Sequence, residues 1–339
     1  MSTVYLRIAA RGPAEPLRAP LLERWLARAG AAAHVADWRS QAFRVIAPDA
    51  VMPAIATAAL HAAALDAADG LAAVNGPAVG DAPKAIDSLN APGAWVFIAT
   101  PVNCVAGMSS VSLPPEGILN LEPAEADVLA DDFNQVFSGA GIRLRRGREG
   151  LLLCLFDTPL RASTTDPEEV LGRDIWEFLP RGADSPRVRG LMSEIEMWLF
   201  EHRVNELRRA RAVPAISGLW LWGGGDAHAP LPAVRGWTAG GDPLFTAFTE
   251  RSLDPAAAGD PALAGDPATA PGVAVITDWP GTAAWRGAEQ RWLIPAIAGL
   301  RSGRLERLDL SAGDRCFSVS ARGKWRFWRR PRPWWESLR

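Results

Sequence analysis

Apolar positions along the chain fall in short blocks whose spacing predicts strands alternating with helices. Thr3 to Ile8 reads as a first strand, and Pro20 to Ala29 as a helix with Leu21, Leu22, Trp25 and Leu26 on one side. From Met52 to Ala73 the chain is Ala-rich, with Pro53 suited to a first helical turn and Gly70 to its end. Trp95 to Ala99 reads as a buried strand and Ile118 to Leu121 as another. Glu122 to Phe137 carries Val128, Leu129, Phe133 and Val136 at helical spacing. Ile142 to Leu144 and Leu151 to Phe156 bracket the turn RRGREG and predict a hairpin.

Further on, Asp166-Pro167-Glu168-Glu169 is suited to cap a short helix ahead of Val170 and Leu171. Ser185-Pro186 opens the longest periodic segment. There Val188, Leu191, Ile195, Leu199 and His202 predict one helix to about Arg211, near Pro214. Residues 219–222 read as a buried strand running into a triple-glycine loop, Gly223 to Gly225. The stretch 254–272 is rich in Pro, Gly and Ala and reads as a linker. Val273 to Thr277 reads as a buried strand, and Trp285 to Leu300 as a helix kinked or started at Pro295. RLERLDL, CFSVS and KWRFW have the pattern of a three-stranded meander.

The chain has 339 residues, 48% of them apolar, enough for one large domain or two smaller ones. A net charge of −2 gives the whole molecule no strong pull toward nucleic acid or acidic lipid. Cys104, Cys154 and Cys316 are far apart and odd in number. That argues against a disulfide framework or a zinc ribbon and fits a reducing compartment. The N-terminus has no signal-type apolar core, and no window approaches a membrane span. Cytoplasmic location and no membrane partner are the expectations.

Leu171 to Gly225 contains LGRDIWEFLP and then LMSEIEMWLFEHRVNELRRARAVPAISGLWLWGGG. This resembles the hallmark block of the Rpf-type regulatory, phosphoglycerate-mutase-like proteins of proteobacteria. In that family a His-Pro-Val-Asn helix leads to a Leu-Trp-Leu-Trp-Gly-Gly-Gly segment. Glu201, His202, Val204, Asn205 and Arg208 match the helix, and Trp220, Trp222, Gly223, Gly224 and Gly225 match the segment after it. The block is more weakly similar to archaeal-type cofactor-independent phosphoglycerate mutases of the alkaline phosphatase superfamily. Arg203 stands in place of the family's Pro, Ser217 in place of an Asn, and Asn103 in place of a His.

The resemblance implies an α/β fold with an alkaline-phosphatase-like mixed or parallel sheet. Its core would span 1–90 and 159–320, with an inserted small α+β unit at 91–158. It also implies a ligand site at His202, Asn205, Arg208, Trp222 and Gly223 to Gly225, as in a mutase-like enzyme or a phosphometabolite binder. The chemistry argues against turnover. Phosphoryl transfer in that superfamily uses two metal ions held by about six or seven Asp and His side chains. This chain has four His, namely His34, His61, His202 and His228, in no ligand-like spacing, and Asp278 has no His nearby. No GxSxG nucleophile motif is present. The expectation is no metal, no cofactor and no catalytic residue.

His202, on an apolar stripe, reads either as a core residue making one hydrogen bond or as half of a His–Asn pair orienting the glycines. The triple glycine reads as a tight turn or as a weak phosphate cradle, with Asp226 following it as an opposing charge. The terminal stretch 321–339 differs in composition from the rest. Arg322, Lys324, Arg326, Arg329, Arg330 and Arg332 interleave with Trp325, Trp328, Trp334 and Trp335. This predicts an interaction tail for a protein partner, with single-stranded nucleic acid as the alternative. A regulatory or scaffold protein that works by binding is the leading functional expectation.

Overall fold

A computed structural model of the chain describes residues 3–8, 18–29, 33–34, 37–63, 93–147, 150–248, 271–277, 282–312, 315–320 and 330–334. They divide between two compact units. One is built from Met1–Met52 and Pro232–Arg339, the other from Pro53–Leu231.

In the first unit, alternation along Thr3–Ile8 sends Val4, Leu6 and Ile8 to one face of a sheet, as strand pleating requires. Among the described residues that sheet has six strands, in the order Trp237–Ala239, Gly272–Ile276, Thr3–Ile8, Arg307–Ala312, Arg315–Ser320, Ala33–His34. The first four run parallel, and the last two join antiparallel. Leu308, Leu310, Phe317 and Val319 extend the apolar cluster, which also takes in Leu22 and Trp25 of helix Pro20–Leu26. Tyr5, Arg7, Asp309 and Ser311 alternate with these residues and are buried too. Arg7 donates to Ser311 Oγ at 2.9 Å, and Asp309 accepts from Arg307 Nε at 2.7 Å. A further helix runs through Ala283–Ala288, a wide turn at Glu289–Leu293, and Ile294–Ser302. The wide turn falls just ahead of Pro295, whose missing N–H interrupts the regular ladder.

The second unit holds an antiparallel sheet in the order Ile142–Arg146, Leu152–Phe156, Trp95–Val102, Gly218–Asp226. Phe97, Cys154, Phe156, Leu219 and Leu221 share one core with residues of two helices. These are Leu129 and Phe133 of Pro123–Val136, and Leu191, Ile195 and Leu199 of Ser185–Phe200. A second core holds Val96, Ile98, Leu153, Trp220 and Trp222 with Ala56, Ala59 and Leu60 of the helical residues 55–63. Burial drives the Cys154 thiol far up, so it is a neutral packing residue.

The mixed α/β class expected from the sequence is the class observed. The compact units cut the chain differently from the expected subdivision. Residues 91–158 do not stand alone, because Trp95–Val102 pairs along its length with Gly218–Asp226. That pairing draws residues 159–231 into the second unit. Three elements also differ from expectation. Ile118 forms a single bridge to Val102 rather than a strand. The one helix expected from Ser185 to Arg211 is two, Ser185–Phe200 and Arg203–Ala210. The three glycines lie within the strand Gly218–Asp226 and form no loop. The linker 254–270 and the third meander strand KWRFW lie outside the described residues. Among the described residues no helix is long and apolar enough to cross a membrane.

Candidate functional site

The 171–225 block lies in the second unit, where helices Pro123–Val136, Ser185–Phe200 and Arg203–Ala210 meet the chain entering strand Gly218–Asp226. Its centre is the break between the second and third of these helices. His202 is the N-cap residue of Arg203–Ala210, and its Nδ1 accepts the Val204 N–H at 3.2 Å. With Nδ1 accepting, the ring is the neutral tautomer that carries its proton on Nε2. That proton goes to Asp132 Oδ2 at 3.1 Å. Burial of the ring holds the His202 pKa below the usual imidazole value, against the upward pull of Asp132. The ring also meets Trp198 edge-on, centroids 4.5 Å apart.

Arg203 occupies the first helical position after that cap. This is the position proline favours, because its missing N–H is lost there at no cost. Arg203 instead uses the position to reach Asp132, with Nε and Nη2 donating at 3.0 and 3.1 Å. Asp132 therefore joins two residues of the helix start to the helix Pro123–Val136.

Asn205 is 3% exposed and fully engaged. Its Nδ2 donates to the carbonyls of Leu199 and Ile216, each at 2.8 Å, and its Oδ1 accepts the Ile216 N–H at 2.7 Å. It clamps the end of one helix to the chain entering the strand. Arg208 is buried as well. It donates from Nε to the Pro214 carbonyl and from Nη1 to Glu125 Oε2, both at 2.7 Å. Glu125 also accepts from Arg211 and from the Glu122 N–H.

Trp222 donates to Thr100 Oγ1 at 2.8 Å, across to the neighbouring strand. Of the glycines beyond it, Gly223 is required by its left-handed backbone at φ +68°, and Gly224 and Gly225 by packing. A Cβ on Gly224 would lie 2.3 Å from the Phe97 ring, and one on Gly225 would lie 2.2 Å from Ala54 Cβ. Close approach of neighbouring side chains accounts for both positions. The other residues that depart from the family pattern have equally local roles. Ser217 Oγ accepts the Cys104 N–H at 2.7 Å, and Asn103 Nδ2 donates to the Ala215 carbonyl at 2.7 Å.

The structure thus brings His202, Asn205 and Arg208 together, with Trp222 and Gly223 to Gly225 on the strand that follows. Sequence reasoning missed Asp132 and Glu125, which receive the block's cations. They stand seven residues apart on one amphipathic helix, two turns along the same face, and that spacing was the available signal. Among the described residues no three His, Cys, Asp or Glu side chains come together as metal ligands. His61 Nε2 is 3.2 Å from the Ala229 carbonyl, and Asp278 lies outside the described residues. The donor set of the described residues does not fit the two-metal centre that the sequence resemblance implies.

Of the basic aromatic tail, Arg330 and Arg332 are described, Arg330 exposed, whereas Trp334 is only 3% exposed. Trp334 sits in the apolar core of the first unit, and its backbone N–H bonds to the Glu23 carboxylate, which Arg18 also holds. Its ring is already desolvated by that core and is not available to a partner. Arg322, Lys324, Trp325, Arg326, Trp328, Arg329 and Trp335 lie outside the described residues.

No family model matches the chain. Two curated proteins are similar over part of it, both 2,3-bisphosphoglycerate-independent phosphoglycerate mutases. The protein of Methanothrix thermoacetophila is 35% identical over 66 residues, 20% of this chain and 17% of that protein. The protein of Methanosarcina mazei is 30% identical over 105 residues, 30% of this chain and 26% of that protein. The chain therefore matches about a quarter or less of the length of these relatives. A solved cofactor-independent phosphoglycerate mutase from Thermoplasma acidophilum overlays with a TM-score of 0.36 at 15% identity. That overlay covers 94% of this chain and 90% of the other, and it is too loose to decide the fold. Over the matched stretches, the chain is a distant relative of cofactor-independent phosphoglycerate mutases.

Proposed function

We propose that this protein is a non-catalytic regulatory or scaffold protein of Rpf type, derived from a phosphoglycerate-mutase-like ancestor with an alkaline-phosphatase-like core, and that it works by binding a protein partner. The observation that carries the reading is the internal engagement of the 171–225 block. The side chains of Asn205 and Arg208 point into backbone carbonyls and Glu125, and those of His202 and Trp222 bond to Asp132 and Thr100. The block braces the fold, so the groups expected to hold a ligand are occupied by the protein itself.

An exposed apolar face supports the binding role. Met197 and Phe200 lie one turn apart on helix Ser185–Phe200 and are 68% and 80% exposed. Adjoining apolar groups so exposed are a mark of protein interfaces. The second reading is a mutase-like enzyme or phosphometabolite binder, and the sequence similarity to two mutases favours it.

The discriminating experiment combines a mutase assay with affinity capture. The full chain is incubated with 3-phosphoglycerate and Mn²⁺, and formation of 2-phosphoglycerate is followed. In parallel, proteins retained by the wild type are compared with those retained by Phe200→Ser and by the double variant Arg330→Glu/Arg332→Glu. No turnover, with a specific partner lost in one of the variants, supports the binding reading. Turnover overturns it.

A further inference from the structure

Residues 163–181 form a loop closed on itself. The Ser163 N–H donates to the Arg181 carbonyl at 2.8 Å, and the Arg181 N–H returns to the Ser163 carbonyl at 3.0 Å. Within the loop lies a hollow of about 630 Å³, the size of a small-molecule site. Part of its wall is Glu177 and Phe178, from the LGRDIWEFLP portion of the 171–225 block, for which the brace described above gives no role.

The walls are fixed from outside. Trp220 Nε1 donates to the Thr165 carbonyl at 2.8 Å, and the Gly172 N–H to the Leu113 carbonyl at 2.7 Å. Asp166 and Asp174 cap the two short helical turns within the loop. Arg189 Nε holds the Pro180 carbonyl at 2.8 Å. A shape held this way loses little freedom when a ligand enters.

The lining narrows the chemistry. Ser163, Thr164 and Thr165 contribute hydroxyls, which both donate and accept. Glu169 and Glu177 accept, and Arg181, steadied by a bond from Nη2 to the Glu177 carbonyl, donates. Outside the lining, Arg173 stacks its guanidinium over the Phe178 ring at 4.3 Å. The lining sets two carboxylates and three hydroxyls against one guanidinium, which disfavours an anion and offers both acceptors and donors. We infer that this hollow binds a neutral, polyhydroxylated small molecule of the sugar class. Its hydroxyls would meet the mixed donors and acceptors, and its C–H face would meet the Phe178 ring.

The test uses the full chain and a fixed set of probes: D-glucose, maltose, N-acetylglucosamine, glucose 6-phosphate and spermidine. Binding is read by saturation-transfer NMR and calorimetry, and melting temperature reports folding. At least one neutral sugar is expected to bind saturably. Affinity is expected to fall about tenfold or more in Glu177→Gln and in Thr164→Val, the first replacing a charged acceptor by a neutral amide and the second removing a hydroxyl. Glu177 is exposed and Thr164 half-buried, so the melting temperature is expected to hold. Tighter binding of glucose 6-phosphate or spermidine than of every neutral probe overturns the inference. So does the absence of binding by all three neutral sugars, or sugar binding that is indifferent to both substitutions. None of these results depends on whether the protein has mutase activity or a protein partner.

Discussion

His202 Nε2 donates to Asp132 Oδ2 at 3.1 Å while the opposite ring nitrogen caps the helix that His202 begins. The two bonds together require the neutral ring. Protonation would remove the acceptor at Nδ1 and leave the Val204 N–H without its cap. Because the folded pKa lies below the unfolded value, the unfolded chain binds the extra proton first. Stability is therefore expected to fall as pH drops below about 6.5, and to be flat above it for this group. Asp132 and Arg203 are the charged groups that face the ring. Urea denaturation between about pH 5.5 and 8 checks this. His202→Asn keeps a capping oxygen and should flatten the dependence, whereas His202→Ala should also cost about 1 kcal/mol at neutral pH.

The glycines of the strand Gly218–Asp226 make a steric prediction. Gly224→Ala and Gly225→Ala should each destabilise by about 1–3 kcal/mol, through forced displacement of Phe97 or of Ala54. Gly190→Ala is the contrast. It lies within helix Ser185–Phe200 with nothing near its would-be Cβ, and should stabilise by about 0.5–1 kcal/mol. Chemical denaturation of the three variants separates a packing role from a ligand role, because a phosphate cradle predicts little loss of stability without ligand.

Glu125 and Arg208 form an ion pair at 2.7 Å with both side chains buried. Arg208→Met removes this charge-assisted bond and the one to the Pro214 carbonyl, while Arg211 still holds Glu125, so it should cost about 2–3 kcal/mol. The double variant Glu125→Leu/Arg208→Met should recover much of that loss. A double-mutant cycle by thermal or urea unfolding measures the coupling.

Trp334 and Glu23 fix the end of the described chain. Trp334→Ala should destabilise the first unit by about 3–5 kcal/mol, as expected for an emptied indole site. Arg18 holds the Glu23 carboxyl below its usual value, with the Trp334 backbone N–H assisting. Its stabilisation is present above the unfolded carboxylate pKa and is lost as pH falls through the lower folded value. Intrinsic fluorescence during acid titration of wild type and Glu23→Gln reads this out.

Much of the architecture was legible from local pattern. Short apolar blocks located the strands Thr3–Ile8, Trp95–Val102 and Gly272–Ile276. Turn chemistry located the hairpin Ile142–Arg146 with Leu152–Phe156. Helical spacing located Pro123–Val136 to within a residue at each end. What failed was non-local. The apolar stripe runs unbroken through Glu201 and His202, and no Gly or Pro marks the break between the two helices. Glycine ordinarily signals a turn, so Gly223 to Gly225 read as a loop. The atoms that require Gly224 and Gly225 belong to Phe97 and Ala54, far away along the chain. The unit boundaries were hidden for the same reason, since they follow from pairing Trp95–Val102 with Gly218–Asp226.

We propose that the 171–225 block braces the fold and carries out no phosphoryl transfer. The most direct test is the interconversion of 3-phosphoglycerate and 2-phosphoglycerate by the full chain with added Mn²⁺. No product above the protein-free control is expected, while Arg208→Met lowers stability. Steady formation of 2-phosphoglycerate by wild type, abolished in His202→Asn at unchanged stability, would contradict it.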